Sequence, residues 1–198
     1  MSGFRVLSVA SDGLRRLLWN SFAGDPALAE LLGTEEGIVF ENPTETAKDS
    51  SRRLSLWLYH VAEDEHLKNT PAVRLADGTF RMTPLVLDLY YLLTPFALSG
   101  VAGHLMLGRA MQTFHDTSTV RVTDGRPDGV NEELRITLYR RSLDEISQVW
   151  QALREPYRLS VCYQVKVTRL DSGRIDGSAP VIEVSAEWEP DLVRSVSP

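Results

Sequence analysis

The spacing of apolar residues changes several times along the chain, and each change predicts a different element. Leu14, Leu17, Leu18 and Phe22 recur at i, i+3, i+4 and i+8, one face of a helix for which Ser11 or Asp12 supplies the cap. Asp25-Pro26 then pairs a capping side chain with proline at the first helical position, and Gly33 after Leu31-Leu32 ends a second, short helix. From residue 54 to 61 the period becomes two: Leu54, Leu56 and Leu58 alternate with Ser55, Trp57 and Tyr59, which predicts a strand. Residues 62–82 are a polar excursion, with Pro71 and the turn signal Asp77-Gly78 between short segments suited to a small protruding hairpin.

Residues 84–94 place Leu85, Leu87, Leu89, Tyr91 and Leu93 on one face of a strand and Val86, Asp88, Tyr90 and Leu92 on the other. Both faces are apolar, so this strand is either central and covered on both sides or covered on one side by another subunit. Leu107, Ala110, Met111 and Phe114 fall at helical spacing within 101–116, and a Gly/Asp/Pro-rich loop over 123–131 leads to a strand in which Leu134, Ile136 and Leu138 alternate with Arg135, Thr137 and Tyr139. Ser142-Leu143-Asp144-Glu145 has the form of a capping box and opens a helix with the apolar stripe Leu143, Ile146, Val149, Trp150 and Leu153, stopped by Pro156. Residues 157–169 alternate most cleanly, with Tyr157, Leu159, Val161, Tyr163, Val165 and Val167 on the core face. After turn signals at Asp171-Ser172-Gly173 and Gly177-Ser178-Ala179-Pro180, residues 181–188 read as a last strand.

Strands and helices intermix without regular βαβ repetition. The expected class is therefore α+β, a mostly antiparallel, mixed sheet with helices mainly on one side. A chain of 198 residues fits one domain. Residues 1–8 and 190–198 are expected to be flexible tails.

Composition narrows the function. A net charge of −6, with the doublets Arg15-Arg16, Arg52-Arg53 and Arg140-Arg141 scattered among acids, gives no basic stripe for nucleic acid. No apolar run approaches the roughly 20 residues of a membrane span, and the N-terminus lacks the pattern of a secretory signal, so folding in the cytoplasm is expected. The single cysteine, Cys162, cannot close an internal disulfide and lies in an alternating segment, as a small core side chain would.

Catalytic signatures are missing. Neither phosphate-cradling glycine loop occurs, nor does a G-x-S-x-G elbow. Glu63-Asp64-Glu65-His66 offers metal-ligand types, but adjacent loop residues splay apart, which favours a solvated acidic loop. His104 and His115 on one helix stand roughly 16 Å apart along its axis, too far to share an ion. Asp88 needs a partner, because a carboxylate in so apolar a strand is costly alone. Arg135 and Arg158 are the candidates for a structural pair, and a catalytic acid lacks a second carboxylate at a defined spacing. No catalytic, cofactor or metal residue is assigned.

Pro84-Leu85-Val86-Leu87-Asp88-Leu89-Tyr90-Tyr91-Leu92-Leu93-Thr94 also carries a resemblance. It is followed by Leu105-Met106-Leu107-Gly108-Arg109-Ala110-Met111 with Phe114-His115-Asp116, by Leu134-Arg135-Ile136-Thr137-Leu138, by Ser142-Leu143-Asp144-Glu145-Ile146 with Trp150, and by Pro156-Tyr157-Arg158-Leu159-Ser160-Val161 with Tyr163. In this order the blocks resemble the N-terminal domain of the cap, or tail-terminator, family of phage-tail-like extracellular contractile injection systems. Residues 40–53 and 95–100 have no counterpart in it. The resemblance implies a tail-terminator-like fold and a structural protein forming a sixfold ring on the distal end of the inner tube, in contact with the last sheath layer. Its implied partners are further copies of itself, the inner tube protein and the sheath protein, with no cofactor. A ring-forming adaptor elsewhere in such a particle is the nearest alternative, and an enzyme a more remote one. Ring subunits need extended apolar and edge surface, for which Val86, Tyr90 and Leu92, and Val181, Glu183, Val184 and Trp188 by strand addition, are the candidates.

Overall fold

Val6, Ala10, Leu14, Leu18 and Phe22, spaced four apart, form a buried row along the first helix, α1 (Val6–Ala23). The row begins earlier than the candidate caps suggest. Val6 and Val9 extend the apolar face upstream, a 3-10 turn (Gly3–Arg5) precedes it, and Ser11 lies buried inside the helix. The expectation of a loose tail over 1–8 is therefore corrected from Gly3 onward. The computed structural model describes residues 3–64, 73–74, 80–81, 85–126, 129–170 and 175–176.

Helix α2 (Pro26–Leu32) has the expected signals: the Asp25 carboxylate accepts from the Ala27 amide at 3.0 Å, and Gly33 closes the helix at φ 81°. A 3-10 turn (Glu35–Gly37), β1 (Ile38–Val39) and the one-turn helix α3 (Pro43–Thr46) follow. Asn42 caps α3 and Pro43 takes its first position, a start signal that the sequence reading passed over.

The remaining elements are β2 (Leu54–Glu63), β3 (Val73–Arg74), β4 (Phe80–Arg81), β5 (Leu85–Pro95), α4 (Gly100–Asp116), β6 (Thr119–Thr123), β7 (Asn131–Leu138), α5 (Leu143–Ala152), β8 (Val161–Leu170) and β9 (Ile175–Asp176). Six strands make the main sheet in the order β1-β2-β5-β8-β7-β6. Among its described pairs only β1–β2 is parallel. Strands β3, β4 and β9 form a small antiparallel sheet, so the segments flanking Asp77-Gly78 do pair, while that dipeptide lies outside the described residues. The predicted strand 181–188, the tail 190–198 and both late turn signals also lie outside them.

One sheet face carries Leu54, Leu56, Leu87, Leu89, Tyr91, Leu93, Leu134, Ile136, Tyr163, Val165 and Val167, joined with α1, α2 and α4 in one buried cluster. The other face carries a smaller cluster of Leu92, Trp150 and Cys162, with Trp57, Tyr59, Tyr139, Ile146, Val149 and Leu153 around it. Helix α5 supplies its cover and is started by the predicted capping box: Ser142 Oγ accepts from the Glu145 amide, and Glu145 accepts from the Ser142 amide. The fold is thus α+β, with three helices on one face and α5 over part of the other.

Strand β8 starts at Val161, four residues later than its alternation suggests. Its last pair with β5 is Leu93 with Val161, and two residues further the same register would set Leu159 opposite Pro95, which has no N–H to donate. Tyr157 and Leu159 therefore have no sheet partner and are exposed by 45% and 47%.

Candidate assembly surfaces

The second face of the sheet changes character along its strands. At the α5 end, Leu92 is fully buried against Trp150 and Cys162, so it presents no surface to another chain, which corrects its place among the interface candidates. The Trp150 indole donates to Ser160 Oγ at 3.3 Å, which ties the helix to the approach of β8. Burial holds the Cys162 thiol above its ordinary range and pushes the Tyr59 hydroxyl up to about 12. Tyr59 is the extra residue of a bulge in β2, between the pairs Leu58–Tyr91 and His60–Tyr90. The bulge extends a line of aromatic contacts: Tyr59 and His60 both meet Tyr90, at 6.5 and 5.3 Å, and Tyr90 meets Tyr139 at 4.9 Å.

Further along, the same face becomes charged. Strand registers place Ala62, Asp88, Lys166, Arg135 and Thr119 in one row across β2, β5, β8, β7 and β6. Lys166 lies between the two residues that the sequence nominated as a pair. Its ammonium donates to Asp64 Oδ2 at 2.5 Å, and this bond raises the lysine's pKa above its ordinary value, with the nearby Asp88 charge acting in the same direction. Asp64 is 2% exposed, so this residue of the acidic run is a buried partner at the end of β2 rather than part of a solvated loop. Glu63 sits on the opposite side of the strand and is exposed.

Asp88 Oδ1 is closed to solvent and has no hydrogen-bond partner among the described residues. Arg135 shares its row at a distance of two strand spacings, about 10 Å. Arg158 stands over the Phe96 ring at 5.4 Å, beyond the far end of β5, and is not brought to Asp88. The sequence named Asp64 only within an acidic loop and did not point to its pairing with Lys166. Lys166 was legible as the basic residue on the polar face of β8, but only the register sets it opposite Asp88.

Val86 and Tyr90 are half-buried on this face, with Tyr90 at the border of the α5 cluster through Tyr59 and Tyr139. Val181, Glu183, Val184 and Trp188 lie outside the described residues. On the first face, a groove of about 570 Å³ opens between the end of α4 and β7, lined by Met111, Phe114, Ile136, Leu138 and Tyr163 among others. Val101 and Leu105 are exposed nearer the start of α4. His104 and His115 are both exposed on α4, and no group of three or more His, Cys, Asp or Glu able to hold a metal occurs among the described residues. No helix among them is long and apolar enough to cross a membrane.

Two solved structures share this arrangement. One is a sheath/tube terminator in the extended state from PVC, an extracellular contractile injection system, with a TM-score of 0.57 and 20% identity over 92% of this chain and 64% of that one. The other is the tube terminating cap of the anti-feeding prophage, AFP, with a TM-score of 0.54 and 18% identity over 91% of this chain and 61% of that one. At these identities the likeness shows the fold, and the chain spans less than two thirds of the length of either protein. No curated protein matches the chain. The model of the Pvc16 N-terminal domain matches residues 10–183, nearly the whole of the chain, which therefore belongs to the Pvc16 N-terminal domain family.

Proposed function

We propose that this chain is a non-catalytic cap subunit of a contractile injection system, forming a ring that closes the distal end of the inner tube and contacts the last sheath layer. Membership of residues 10–183 in the Pvc16 N-terminal domain family carries the reading. The surface supports it. Exposed apolar groups, an aromatic row and a strand edge are spread over different sides of the domain, as a subunit with several protein neighbours requires. Copies joined by two different patches close into a ring when the rotation per subunit divides a full turn, and sixfold closure would match a sixfold tube. A closed ring ends growth because it offers the next tube layer no matching surface.

Electron microscopy of assembled particles tests this. With the chain carrying a gold-binding tag, label is expected at the end opposite the baseplate, and deletion of the chain should give tubes of uncontrolled length. Label along the particle or at the baseplate, or unchanged lengths after deletion, would assign the chain to an adaptor role instead.

A further inference from the structure

Among the described residues strand β6 is the last strand of the main sheet, and no described strand pairs with its outer edge. Its inner side is fixed by bonds from the Ile136 amide to the Ser118 carbonyl at 2.8 Å and from the Asp124 amide to the Val130 carbonyl at 3.2 Å. These bonds set the phase of the ladder. Residues 118, 120, 122 and 124 turn their backbone groups toward β7, so Thr119, Arg121 and Thr123 turn their N–H and C=O groups outward. An edge of this kind is a template for another strand.

Two further features define what fits it. A groove of about 230 Å³ runs between this edge and α1, lined by Gly13, Arg16, Leu17, Asn20, Val120 and Val122 among others. Alternate side chains of an added strand would lie in it, beside Val120 and Val122. The remaining side chains would lie on the other face, in line with Thr119, Arg121 and Thr123. On that other face Arg121 is exposed, stands opposite Glu133 in the register and forms no ion pair among the described residues. The fitting segment is therefore extended, apolar on one face and acidic on the other.

This chain contains such a segment. Residues 181–189 read V-I-E-V-S-A-E-W-E, with Ile182, Val184, Ala186 and Trp188 alternating with Glu183, Ser185, Glu187 and Glu189, and no basic residue among them. We propose that β6 of one copy accepts residues 181–189 of a second copy as an added strand, with the apolar set toward the α1 groove and a glutamate beside Arg121. The inference rests on the proposed ring and names the contact that joins neighbouring subunits.

Full-length chains test it by trapping. One variant carries Thr119→Cys or Thr123→Cys on β6 and the other carries Ser185→Cys. Cys162 is buried in both. Mixing and mild oxidation should give a disulfide-linked dimer of the two variants. Absence of that dimer for both β6 positions would overturn the proposal. So would a disulfide formed within one chain when both cysteines are placed on it.

Arg121→Pro is the control that leaves the fold intact. Its amide points outward, where proline is tolerated in a sheet, but an incoming strand loses its central bond. The trapped dimer should fall at least about tenfold with an unchanged melting temperature. Arg121→Glu should act similarly and be rescued by Glu183→Lys with Glu187→Lys on the other copy. Rings that form at normal yield from Arg121→Pro would sink the strand contact and leave the cap reading standing. Trapped dimers without rings at tube ends would do the reverse.

Discussion

Lys166 answers to two carboxylates, and they differ in what they need from it. Asp64 is buried and bonded to the ammonium, whereas Asp88 contributes a nearby charge and leaves one oxygen without a hydrogen bond. Lys166→Met takes the ammonium away from a buried carboxylate, which costs about 1–3 kcal/mol, the wet lysine end keeping the loss below that of a fully buried pair. Asp88→Asn removes a charge that no described residue bonds directly, and its stability should stay within about 1 kcal/mol of the native chain or rise. Urea midpoints of the two variants check the pair. A larger loss for Asp88→Asn than for Lys166→Met would mean that Asp88, and not Asp64, is the principal partner.

At the scale of elements, two glycines separate close packing from free surface. A Cβ at Gly13 would collide with Val122 Cγ1, since α1 lies directly on β6 at that point, while one at Gly108 on α4 meets nothing within 4 Å. Gly13→Ala should therefore cost about 1–3 kcal/mol and loosen β6 first, seen as faster hydrogen exchange of its inward amides. Gly108→Ala should instead gain up to about 1 kcal/mol from helix propensity.

Helix α5 has its own reporter, because it buries the single thiol. Ser142→Ala removes a cap worth about 1 kcal/mol, and Cys162 should then react faster with a disulfide reagent at pH 8. Unchanged labelling would show that Trp150 holds α5 in place without its cap.

These elements also show where the sequence was informative. Capping chemistry is local, so α2 and α5 were readable from Asp25-Pro26 and from Ser142 with Glu145. Alternation was readable too, and it placed β2, β5, β7 and β8. What it lacks is a boundary, because a strand ends where its pairing ends: Tyr157 and Leu159 keep the pattern but pair with no described strand. Strand β6 was overlooked although Thr119-Val120-Arg121-Val122-Thr123 alternates, being only five residues between a helix and a loop. The charged row was illegible for a further reason, since Asp64, Asp88 and Lys166 meet through registers between strands up to 102 residues apart.

Across the whole molecule, the sheet separates two apolar layers that share its strands, and whether they unfold together is a question that three tyrosines can report. Tyr91 and Tyr163 belong to the large layer with α1, α2 and α4, while Tyr59 borders the small layer under α5. Burial pushes all three phenols from an ordinary value of 10.0 up to about 12, with Tyr91 also bonded to Ser11 at 2.8 Å. The raised value belongs to the folded state, in which the neutral phenol is protected. Below pH 10 both states keep the proton and the stabilisation is complete. Between about 10 and 12 the unfolded chain releases protons that the folded chain retains, so stability falls as pH rises through this window. Because adjacent residues of β5, Tyr91 and Leu92, face opposite layers, loss of that strand opens both at once. Absorbance at 295 nm should show these phenols ionising late, in one step that coincides with loss of far-ultraviolet circular dichroism. In the single-tryptophan-to-phenylalanine variant Trp150→Phe, which loosens only the small layer directly, the whole step should move to lower pH. If Tyr59 alone titrated earlier in that variant while Tyr91 and Tyr163 kept their transition, the two layers would be separate folding units joined by a common sheet.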